Sequence, residues 1–318
     1  MGEPNTVDQP VVLIADPLPA ETVAGLGPGF DVRHCVGADR AALLAAVPAA
    51  DALIIRSATR VDREVIEAAP RLRIVARAGV GLDNVDTAAA AAAGVAVANA
   101  PESNTTSVAE LVVGLIIASL RRIPAATASV RAGEWQRAAF GGTELAGKTV
   151  GILGFGRIGR LVARRLAAFD MRIECHDPYV SAEAAAEHGA HAVPLDELMR
   201  NADVLTVHLP RTPETVGIVG DAELRLAKPG LLVVNTSRGG IVDEAALALA
   251  LKEQRIAGAA LDVFEIEPPL GSPLVGLDTV LATPHIGAGT REAQLRAGQD
   301  AVRAVRAALS GGPGAAGR

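Results

Sequence analysis

The sequence has 318 residues, of which 50% are hydrophobic but only 2% aromatic, and its formal net charge at pH 7 is -6. This length is sufficient for two domains of ordinary size, whose cores we expect to consist of Val, Leu, Ile and Ala. The acidic balance argues against a nucleic-acid partner, because proteins that bind nucleic acids present a basic face to the phosphates. The two cysteines, Cys35 and Cys175, have no C-x-x-C neighbour, so we expect ordinary buried thiols and no metal site.

The start of the chain and its most apolar run bear on localisation. Residues 1–9 are polar and acidic, without the basic segment and apolar run that a secretory signal requires. The most apolar run, Leu111 to Leu120, is too short to span a bilayer, so we interpret it as a buried helix. We therefore expect a cytoplasmic protein with no membrane partner.

The first third of the chain alternates apolar runs with helical stretches, which is typical of an α/β unit. Predicted strands are Val11 to Ala15, Ala52 to Ile55, Arg73 to Ala76 and Val95 to Val97. Between them, 39–47 and 63–69 have helical spacing, with Asp39 and Asp62 available as N-caps.

A strand followed by three spaced glycines stands near the middle of the chain. Thr149 to Leu153 is a short apolar run suited to a buried parallel strand, and Gly154, Gly156 and Gly159 follow it in the G-x-G-x-x-G order of a dinucleotide site. The first glycine permits a sharp turn, the second lets a pyrophosphate approach the backbone, and the third lets the next helix pack closely on the strand. The N-terminus of that helix then holds the negative charge.

The strand after this helix indicates which dinucleotide binds. Arg172 to Cys175 leads to Asp177, roughly 20 residues beyond the last glycine, where the fold puts an acid against the adenosine ribose. A carboxylate there accepts hydrogen bonds from the ribose hydroxyls and repels a 2′-phosphate, while His176 and Pro178 offer no cationic replacement. The sequence therefore predicts NAD rather than NADP as the cofactor.

Four more strands and a last helix complete the predicted domain organisation. The strands are Val204 to Val207, Leu231 to Asn235, Ala259 to Val263 and Thr279 to Ala282. The helix, Arg291 to Leu309, is expected to return to the first unit. We therefore predict a discontinuous domain of residues 1–100 and 287–318, a dinucleotide-binding domain of residues 101–286, and a small-molecule site in a cleft between them.

Among the six histidines, His285 is the strongest catalytic candidate. It follows a strand that ends at Ala282, and doubly wound sheets collect their ligands at the carboxyl ends of strands. His208 also ends a strand and could line the cofactor site. The other four are set aside as catalysts: His34, His176, and His188 and His191, which stand around a Gly-Ala turn.

Charged residues after two other strand ends could complete a redox site. Hydride transfer to or from a hydroxyl-bearing carbon must also move a proton, which histidine can give or take near neutral pH. Glu265 and Glu267 follow one strand end, and a carboxylate there could orient the imidazole. Arg238 follows another, and its guanidinium suits a substrate carboxylate. From the residues alone, capping or ion pairing remains an alternative for all three.

Five segments together resemble the D-2-hydroxyacid dehydrogenase family, over about 11–309. They begin at Arg77 (RAGVGLDNVD), Gly154 (GFGRIG), Asn235 (NTSRGGIVDE), Leu261 (LDVFEIEP) and Thr283 (TPHIGA). The resemblance implies two doubly wound parallel-sheet domains, with a Rossmann NAD-binding domain inserted into a discontinuous, flavodoxin-like substrate domain. It also implies that Arg238 binds the substrate's carboxylate and oxygen, that Glu267 rather than Glu265 is the partner of His285, and that His285 is the acid/base.

The resemblance also implies a set of ligand contacts. Residues expected to contact NAD are Val80, Gly154, Gly156, Arg157, Ile158, Gly159, Asp177, His208, Leu209, Thr236, Ser237, Asp262, Gly287 and Ala288. Residues expected to contact substrate are Arg56, Ser57, Arg60, Gly79, Val80, Arg137, Arg238 and His285, with Arg137 reaching the site of a neighbouring subunit. Ala138 and Ala139 stand where basic residues can follow that arginine, so the phosphate pocket could be recast. The alternative is that Arg60 and Arg137 are solvated surface charges.

The expected activity is NAD-dependent oxidation of a D-2-hydroxy acid by an enzyme of the branch that acts on phosphoglycerate. The product would be 3-phosphohydroxypyruvate, in the first step of serine biosynthesis. A reductase for glyoxylate, hydroxypyruvate or a specialised acid is one alternative, and an NAD-sensing, corepressor-like binding protein is another. We also expect a homodimer formed through 103–120 and the arm with Trp135 and Arg137, unless Trp135 is a core residue of its own subunit. Many proteins of this branch continue into a serine-binding regulatory domain, and we expect no inhibition by serine through such a domain here.

Overall fold

The computed structural model describes residues 9–310 of the chain. It divides into two compact units, one formed by Met1–Asn104 with Ala288–Arg318 and the other by Thr105–Gly287. The domain boundaries that we predicted after residues 100 and 286 lie near these divisions. The second unit is therefore an insertion in the sequence of the first.

The first unit contains a parallel sheet of five strands. They are β1 (Val11–Ile14), β2 (Asp31–His34), β3 (Ala52–Ile55), β4 (Ile74–Arg77) and β5 (Ala96–Ala98). Their order, β2-β1-β3-β4-β5, is that of flavodoxin-like sheets. Strands β1 and β3 are buried along their whole length, as expected of parallel strands covered on both faces. The strands predicted from apolar runs in this unit are confirmed.

Aspartates begin three of the short helices of this unit. The helices are α1 (Ala20–Ala24), α2 (Arg40–Ala46), α3 (Arg63–Glu67) and α4 (Thr87–Ala92). The side chain of Asp39 accepts the backbone N–H groups of Ala41 and Ala42, and Asp62 accepts that of Val65. Because such a cap satisfies N–H groups that have no partner within the helix, it contributes about 1 kcal/mol. Both predicted N-caps are confirmed.

The second unit contains a parallel sheet of seven strands. They are β6 (Thr149–Leu153), β7 (Arg172–His176), β8 (His191–Ala192), β9 (Val204–Val207), β10 (Leu232–Asn235), β11 (Gly258–Leu261) and β12 (Val280–Ala282). The order is β12-β11-β10-β9-β6-β7-β8. From β6 the chain builds outward through β7 and β8, then returns to the other side of β6 to add β9. This reversal makes the carboxyl ends of β6 and β9 the expected ligand site.

Two details of this sheet extend or correct the sequence prediction. His191 directly follows the turn at Gly189 and Ala190, as predicted, and it begins β8, a strand that the sequence did not predict, where it pairs with Glu174 of β7. This strand of two residues, both exposed, has no apolar run that could reveal it. Strand β11 ends at Leu261 rather than at residue 263, so Asp262 begins the following loop.

Helices cover both faces of the second sheet. They are α5 (Thr105–Leu120), α6 (Ile123–Arg131), α7 (Arg157–Ala167), α8 (Ala182–Ala186), α9 (Leu195–Asn201), α10 (Asp221–Leu226) and α11 (Glu244–Lys252). Alternate strand residues face opposite cores: Val233 packs with α9, α10 and α11, whereas Leu232 and Val234 pack with α5 and α7. This sidedness follows from the two-residue period of a strand.

Helix α6 differs from its neighbours because none of its residues is buried. Within residues 9–310, no single helix has both the length and the apolar character needed to span a membrane. Helices α5 and α6 meet those criteria only as a pair bent by 62°.

The last helix, α12 (Arg291–Ser310), returns the chain to the first unit, and the helix predicted there is confirmed. Its buried residues Ala301, Val302 and Val305 pack in one core with Val12 and Ile14 of β1. The opposite face of that sheet packs separately with residues of α2, α3 and α4. The first unit is therefore closed by residues from both ends of the chain.

Candidate active site

The three glycines after β6 differ in what surrounds them. At Gly154 the φ angle is +94°, and a Cβ there would lie 2.9 Å from the carbonyl of His208. At Gly159 a Cβ would lie 2.4 Å from the carbonyl oxygen of Gly154. At Gly156 a Cβ would meet nothing within 4 Å. A side chain at Gly154 or Gly159 would therefore clash with the backbone, so the fold requires glycine at both positions. Gly156 instead faces open space.

That open space adjoins the N-terminus of α7. Gly156 is the N-cap, and without a side chain it leaves the first N–H groups of the helix for a ligand. Arg157, the first helical residue, is exposed, and Ile158 is half-buried. Backbone donors, the helix dipole and an arginine together suit a pyrophosphate.

Asp177 lies beside the same turn, immediately after β7. Its Oδ2 accepts the backbone N–H of Phe155 at 2.8 Å, and its Oδ1 accepts that of Tyr179 at 2.9 Å. The carboxylate is half-buried and is fixed at both oxygens. Since each carboxylate oxygen can accept more than one hydrogen bond, both can still receive ribose hydroxyls.

His208 and Leu209 follow β9, on the other side of the chain reversal. The Cδ2 atom of Leu209 lies 3.0 Å from where a Cβ on Gly154 would be, so it packs on the glycine turn. The Nε2 atom of His208 lies 3.0 Å from the Oγ1 of Thr206. The residue as a whole is half-buried, and desolvation by the surrounding protein lowers the pKa of His208 to about 3. This imidazole is therefore neutral at physiological pH and cannot serve there as an acid.

His285 and Glu267 form a hydrogen-bonded pair. The Nδ1 atom of His285 lies 2.8 Å from the Oε2 of Glu267, and both side chains are partly exposed. The other oxygen, Oε1, accepts the backbone N–H of Phe264 at 3.1 Å. Glu265 lies on the same loop, but its backbone N–H bonds to Glu244. Of the two glutamates that the sequence offered, the structure brings Glu267 to the imidazole.

The loop that carries His285 is fastened by Asp262, which is 0% exposed. Its Oδ1 accepts the Oγ1–H of Thr283 at 2.6 Å and the N–H of Ile286 at 2.8 Å, and its Oδ2 accepts the N–H of Gly287 at 2.8 Å. His285 lies inside this bracket with a φ of 52°, in the left-handed region that non-glycine residues rarely adopt. The hydrogen bonds of Asp262 on either side of His285 hold this backbone conformation, which sets the direction of the His285 side chain.

Arg238 follows β10 in a loop with its own hydrogen bonds. The Nδ2 of Asn235 donates to the carbonyl of Arg238 at 2.9 Å, and the N–H of Ser237 donates to Oδ1 of Asn235 at 3.0 Å. The hydroxyl of Ser237 donates to the carbonyl of Leu209, which joins this loop to the one after β9. Arg238 is half-buried, and its Nη1 donates to the carbonyl of Ser237 at 2.8 Å.

Two observations show that these loops fit a bound dinucleotide. The Oγ1 of Thr236 is buried without a hydrogen-bond partner, so it can bond to a ligand. The open space over Gly156 and the N-terminus of α7, which no side chain caps, lie in the same unit as Thr236. Within residues 9–310, no group of three or more His, Cys, Asp or Glu residues is arranged so that it could hold a metal ion.

The residues predicted to contact substrate lie partly in the other unit. Arg56, Ser57 and Arg60 follow β3, and Gly79 and Val80 follow β4. The N–H of Arg56 bonds to Asp16 at 2.5 Å, and the carbonyl of Val80 accepts from Asn99 at 2.6 Å. Ala288 also belongs to this unit. Their contacts with substrate or cofactor remain predictions.

The arm after α6 is exposed. Arg137 begins a short 3-10 helix, Arg137–Phe140, none of whose residues is buried. The Trp135 side chain beside it is 78% exposed, so the alternative that Trp135 is a core residue of its own subunit is wrong. The guanidinium of Arg122 lies 5.5 Å from the Phe140 ring centroid and donates to the carbonyl of Ala139.

Two residues near the site were missed by the sequence reasoning. Glu244 accepts the backbone N–H of Glu265, and Arg211 packs beside Gly240, where its Nε and Nη2 lie 3.6 Å from a hypothetical Cβ. Glu244 stands inside a quoted segment, and an acid in the first turn of a helix is a recognisable signal, but of helix stability rather than of function. No sequence pattern indicates which loop Arg211 would contact.

Comparison with known proteins gives a consistent result. The family described as D-isomer specific 2-hydroxyacid dehydrogenase, NAD binding domain, matches residues 113–287. D-3-phosphoglycerate dehydrogenase of Mycobacterium tuberculosis (strain ATCC 25618 / H37Rv) is 56% identical over 302 residues, which are 95% of this chain and 57% of that protein. The chain therefore spans little more than half the length of this relative.

Two solved structures match along nearly their whole length. A glyoxylate reductase from Paecilomyes thermophila is 31% identical, with a TM-score of 0.85 over 95% of this chain and 96% of that one. D-Lactate dehydrogenase from Aquifex aeolicus, complexed with NAD and lactic acid, is 27% identical, with a TM-score of 0.83 over 94% and 95% of the two chains.

Proposed function

The chain belongs to the D-isomer specific 2-hydroxyacid dehydrogenase family, whose NAD-binding domain it contains, and on that premise we propose that it oxidises D-3-phosphoglycerate to 3-phosphohydroxypyruvate. This reaction is the first step of serine biosynthesis and is reversible. The observation that carries the proposal is the His285–Glu267 pair, 2.8 Å apart, in the same unit as the glycine turn and Arg238. The substrate is proposed from the name of the 56% identical relative.

His285 performs the proton transfer in this proposal. Its Nδ1 faces a carboxylate, which can only accept a hydrogen bond, so Nδ1 carries the hydrogen and Nε2 carries the lone pair. During oxidation Nε2 takes the proton of the substrate hydroxyl, and Glu267 stabilises the imidazolium that forms. NAD, which the glycine turn and Asp177 would hold, would supply the acceptor for the hydride that leaves C2 of the substrate. In the reverse direction the same nitrogen returns the proton to the ketone oxygen.

Arg238 orients the substrate. A guanidinium offers two parallel N–H donors to a carboxylate, which fixes the plane of the acid and therefore the direction of the adjacent C2–H bond. Holding the two reacting atoms in a near-attack geometry removes much of the entropic part of the barrier. The hydrogen bond from Asn235 to the carbonyl of Arg238 supports this role, because it holds the loop that carries the arginine.

The phosphate of the substrate needs cationic partners of its own. Arg60 of the first unit and Arg137 of the arm are proposed for this task, and both are exposed. In a chain with a net charge of -6, an anionic substrate has to be selected by such local arginines. The alternative is that Arg60 and Arg137 are solvated surface charges, and in that case their replacement should leave substrate selectivity unchanged.

A substrate panel tests the proposal. Turnover of 3-phosphoglycerate, glycerate and lactate is measured with NAD and with NADP, and reduction of glyoxylate and hydroxypyruvate with NADH and NADPH. We expect 3-phosphoglycerate with NAD to give the highest kcat/KM, and Arg60→Ala to lower kcat/KM for this substrate only. A preference for glyoxylate or lactate would favour the second candidate, which the glyoxylate reductase and D-lactate dehydrogenase neighbours support.

Replacement of His285 distinguishes catalysis from binding. We expect His285→Ala to reduce kcat by at least about a hundredfold, the lower end for general acid/base catalysis, with little change in the Kd for NAD. Unchanged turnover in this variant would remove His285 from the mechanism. NADH binding by the wild type without turnover of any hydroxy acid would instead favour an NAD-sensing binding protein.

The proposal includes a homodimer in the cytoplasm. Support for the dimer comes from exposed apolar side chains around α6: Ile123 is 47% exposed, Val130 56% and Trp135 78%. A surface patch of this kind is costly to leave in water and is typical of a protein interface. Support for the cytoplasm comes from Cys35 and Cys175, which are both free thiols, as is usual in a reducing compartment.

A further inference from the structure

Glu244 connects the start of α11 to the loop that carries the catalytic glutamate. It is the first residue of the helix, after the N-cap Asp243. Its Oε1 accepts the backbone N–H of Glu265 at 2.5 Å, and its Oε2 lies 3.4 Å from the hydroxyl of Ser272. The side chain is half-buried. Glu244 therefore has contacts with two points of the loop between β11 and β12.

Two consecutive backbone N–H groups of that loop donate to two different carboxylates. The N–H of Phe264 bonds to Oε1 of Glu267, and the next N–H, that of Glu265, bonds to Glu244. The direction of the Phe264–Glu265 peptide is thus set by Glu244, two residues before the carboxylate that pairs with His285. A rotation of this peptide would move the start of the segment that positions Glu267.

The same peptide also supports the loop of Arg238. A Cβ on Gly239 would lie 1.9 Å from the carbonyl oxygen of Phe264 and 2.4 Å from the nitrogen of Glu265. Gly239 therefore packs directly on the peptide whose N–H bonds to Glu244. Because Arg238 precedes Gly239, one peptide unit is the common support of the loops that carry Arg238 and Glu267.

We propose that Glu244 is a positioning residue, which fixes the Phe264–Glu265 peptide and thereby aligns Glu267 and Arg238 for the reaction. It acts through these residues and touches neither substrate nor cofactor. The kinetic consequence rests on the proposed function, whereas the structural consequence for the His285–Glu267 pair does not. Both consequences can be measured.

Glu223 provides a matched control. It is also a glutamate in the first turn of a helix of this unit, and its Oε2 accepts the backbone N–H of Gly220 at 3.0 Å. This bond closes α10 and involves no residue of the candidate site. Glu223→Gln and Glu223→Ala therefore reproduce the loss of helix stabilisation that replacing Glu244 causes, without the loss of loop contact.

The kinetic test compares Glu244→Ala and Glu244→Gln with these controls. We expect Glu244→Ala to lower kcat about ten- to a hundredfold, as replacement of orienting partners does at metal sites, without changing the Kd for NAD. Glu244→Gln should recover part of the loss, because the amide oxygen can still accept the N–H of Glu265. In the Glu267→Gln background, Glu244→Ala should lower kcat by a smaller factor than in the wild-type background, because the part of its effect that acts through Glu267 is already lost.

The structural test is the NMR signal of the His285 Nδ1–H proton, identified by its absence in His285→Gln. A hydrogen bond to a carboxylate moves such a proton downfield and slows its exchange. We expect the signal to weaken in Glu267→Gln and in both Glu244 variants, and to persist in both Glu223 variants. This measurement requires no turnover and can be made on Glu244→Gln if Glu244→Ala does not fold.

The outcomes separate the two proposals. If Glu244 variants keep the signal and the kcat of the Glu223 controls, the positioning role is wrong and the dehydrogenase stands. If the signal depends on Glu244 but wild-type protein oxidises no hydroxy acid, the positioning role stands and the proposed function is wrong. Additive losses of kcat in the double variant would also overturn the role, because Glu244 would then act independently of Glu267.

Discussion

The carboxylate of Asp262 accepts the backbone N–H of Gly287 at 2.8 Å, so a fully buried charge at the end of β11 closes the loop after β12. Asp262→Asn keeps the volume of the side chain but turns an NH2 group toward at least one of the donors Thr283, Ile286 and Gly287. We expect a loss of about 2 to 4 kcal/mol in the free energy of unfolding, because buried donors lose their acceptor. Urea denaturation measures it.

The control for that variant is Asp243→Asn. Asp243 is an exposed N-cap whose Oδ1 accepts the N–H groups of Ala245 and Ala246, and asparagine caps a helix equally well. Its unfolding free energy should therefore change by less than about 0.5 kcal/mol. Equal losses in the two variants would contradict the special role of the buried carboxylate.

The glycine turn predicts opposite effects for two similar substitutions. Gly156→Ala adds a methyl group to open space at a negative φ of -78°, so the protein should fold normally but bind NAD at least about tenfold more weakly. Gly159→Ala puts the methyl group 2.4 Å from the carbonyl of Gly154, so it should lower the melting temperature. Thermal denaturation and NADH fluorescence titration measure both effects. Normal NAD affinity in Gly156→Ala would show that the pyrophosphate does not approach there.

Asp177 should determine the choice between NAD and NADP. In Asp177→Ala, loss of charge-assisted hydrogen bonds to the ribose should raise KM for NAD by about ten- to a hundredfold. Loss of the negative charge should at the same time narrow the preference for NAD over NADP. Asp196→Ala, which removes an exposed acid from α9, is the control. If the ratio of kcat/KM for the two cofactors stays unchanged, Asp177 does not contact the ribose.

His208 should make stability depend on pH. Its pKa in the folded protein is lowered to about 3 by desolvation, so the unfolded chain binds a proton there first as the pH falls below about 6.5. Stability present above that pH is therefore lost as the pH decreases. Replacing His208 with Gln should reduce the loss between pH 7.5 and pH 5 by up to about 2 kcal/mol. Urea denaturation of both proteins at the two pH values measures the difference, and identical pH dependence would contradict the prediction.

The patch around α6 predicts how the dimer can be broken. Trp135→Glu puts a charge on a side chain that is 78% exposed in one chain and, by the proposal, buried in the dimer. We expect the protein to become monomeric in sedimentation velocity at micromolar concentration, because an unpaired buried charge costs several kcal/mol. Tyr179→Glu, at a side chain 95% exposed, is the control and should leave the assembly unchanged. A monomeric wild type would rule out the dimer.

Much of the fold could be predicted because several of its strands are buried along their whole length. Every residue is buried in the strands Val204–Val207 and Thr149–Leu153, and their apolar runs therefore predict them. Strand β8 escaped detection because it has two exposed residues, and α6 because it buries none, so neither has the periodicity that burial imposes. A hydrophobic pattern in a sequence reflects contact with a core, and β8 and α6 contain no buried residue.

The candidate site shows the same division. Asp177 and His285, whose proposed roles depend on their own chemistry, could be predicted from residue type and position after a strand. Glu244 could not, because its proposed role depends on a peptide 21 positions away that only the folded chain brings to it. Gly239 is a similar case: its lack of a side chain matters because of Phe264, which is remote in sequence.

Arg238, Glu267 and His285 all lie between Thr105 and Gly287, in the segment that also contains the glycine turn. By the proposed function, changes in the loops after β3 and β4 would alter which acid is accepted and would leave the His285–Glu267 pair intact.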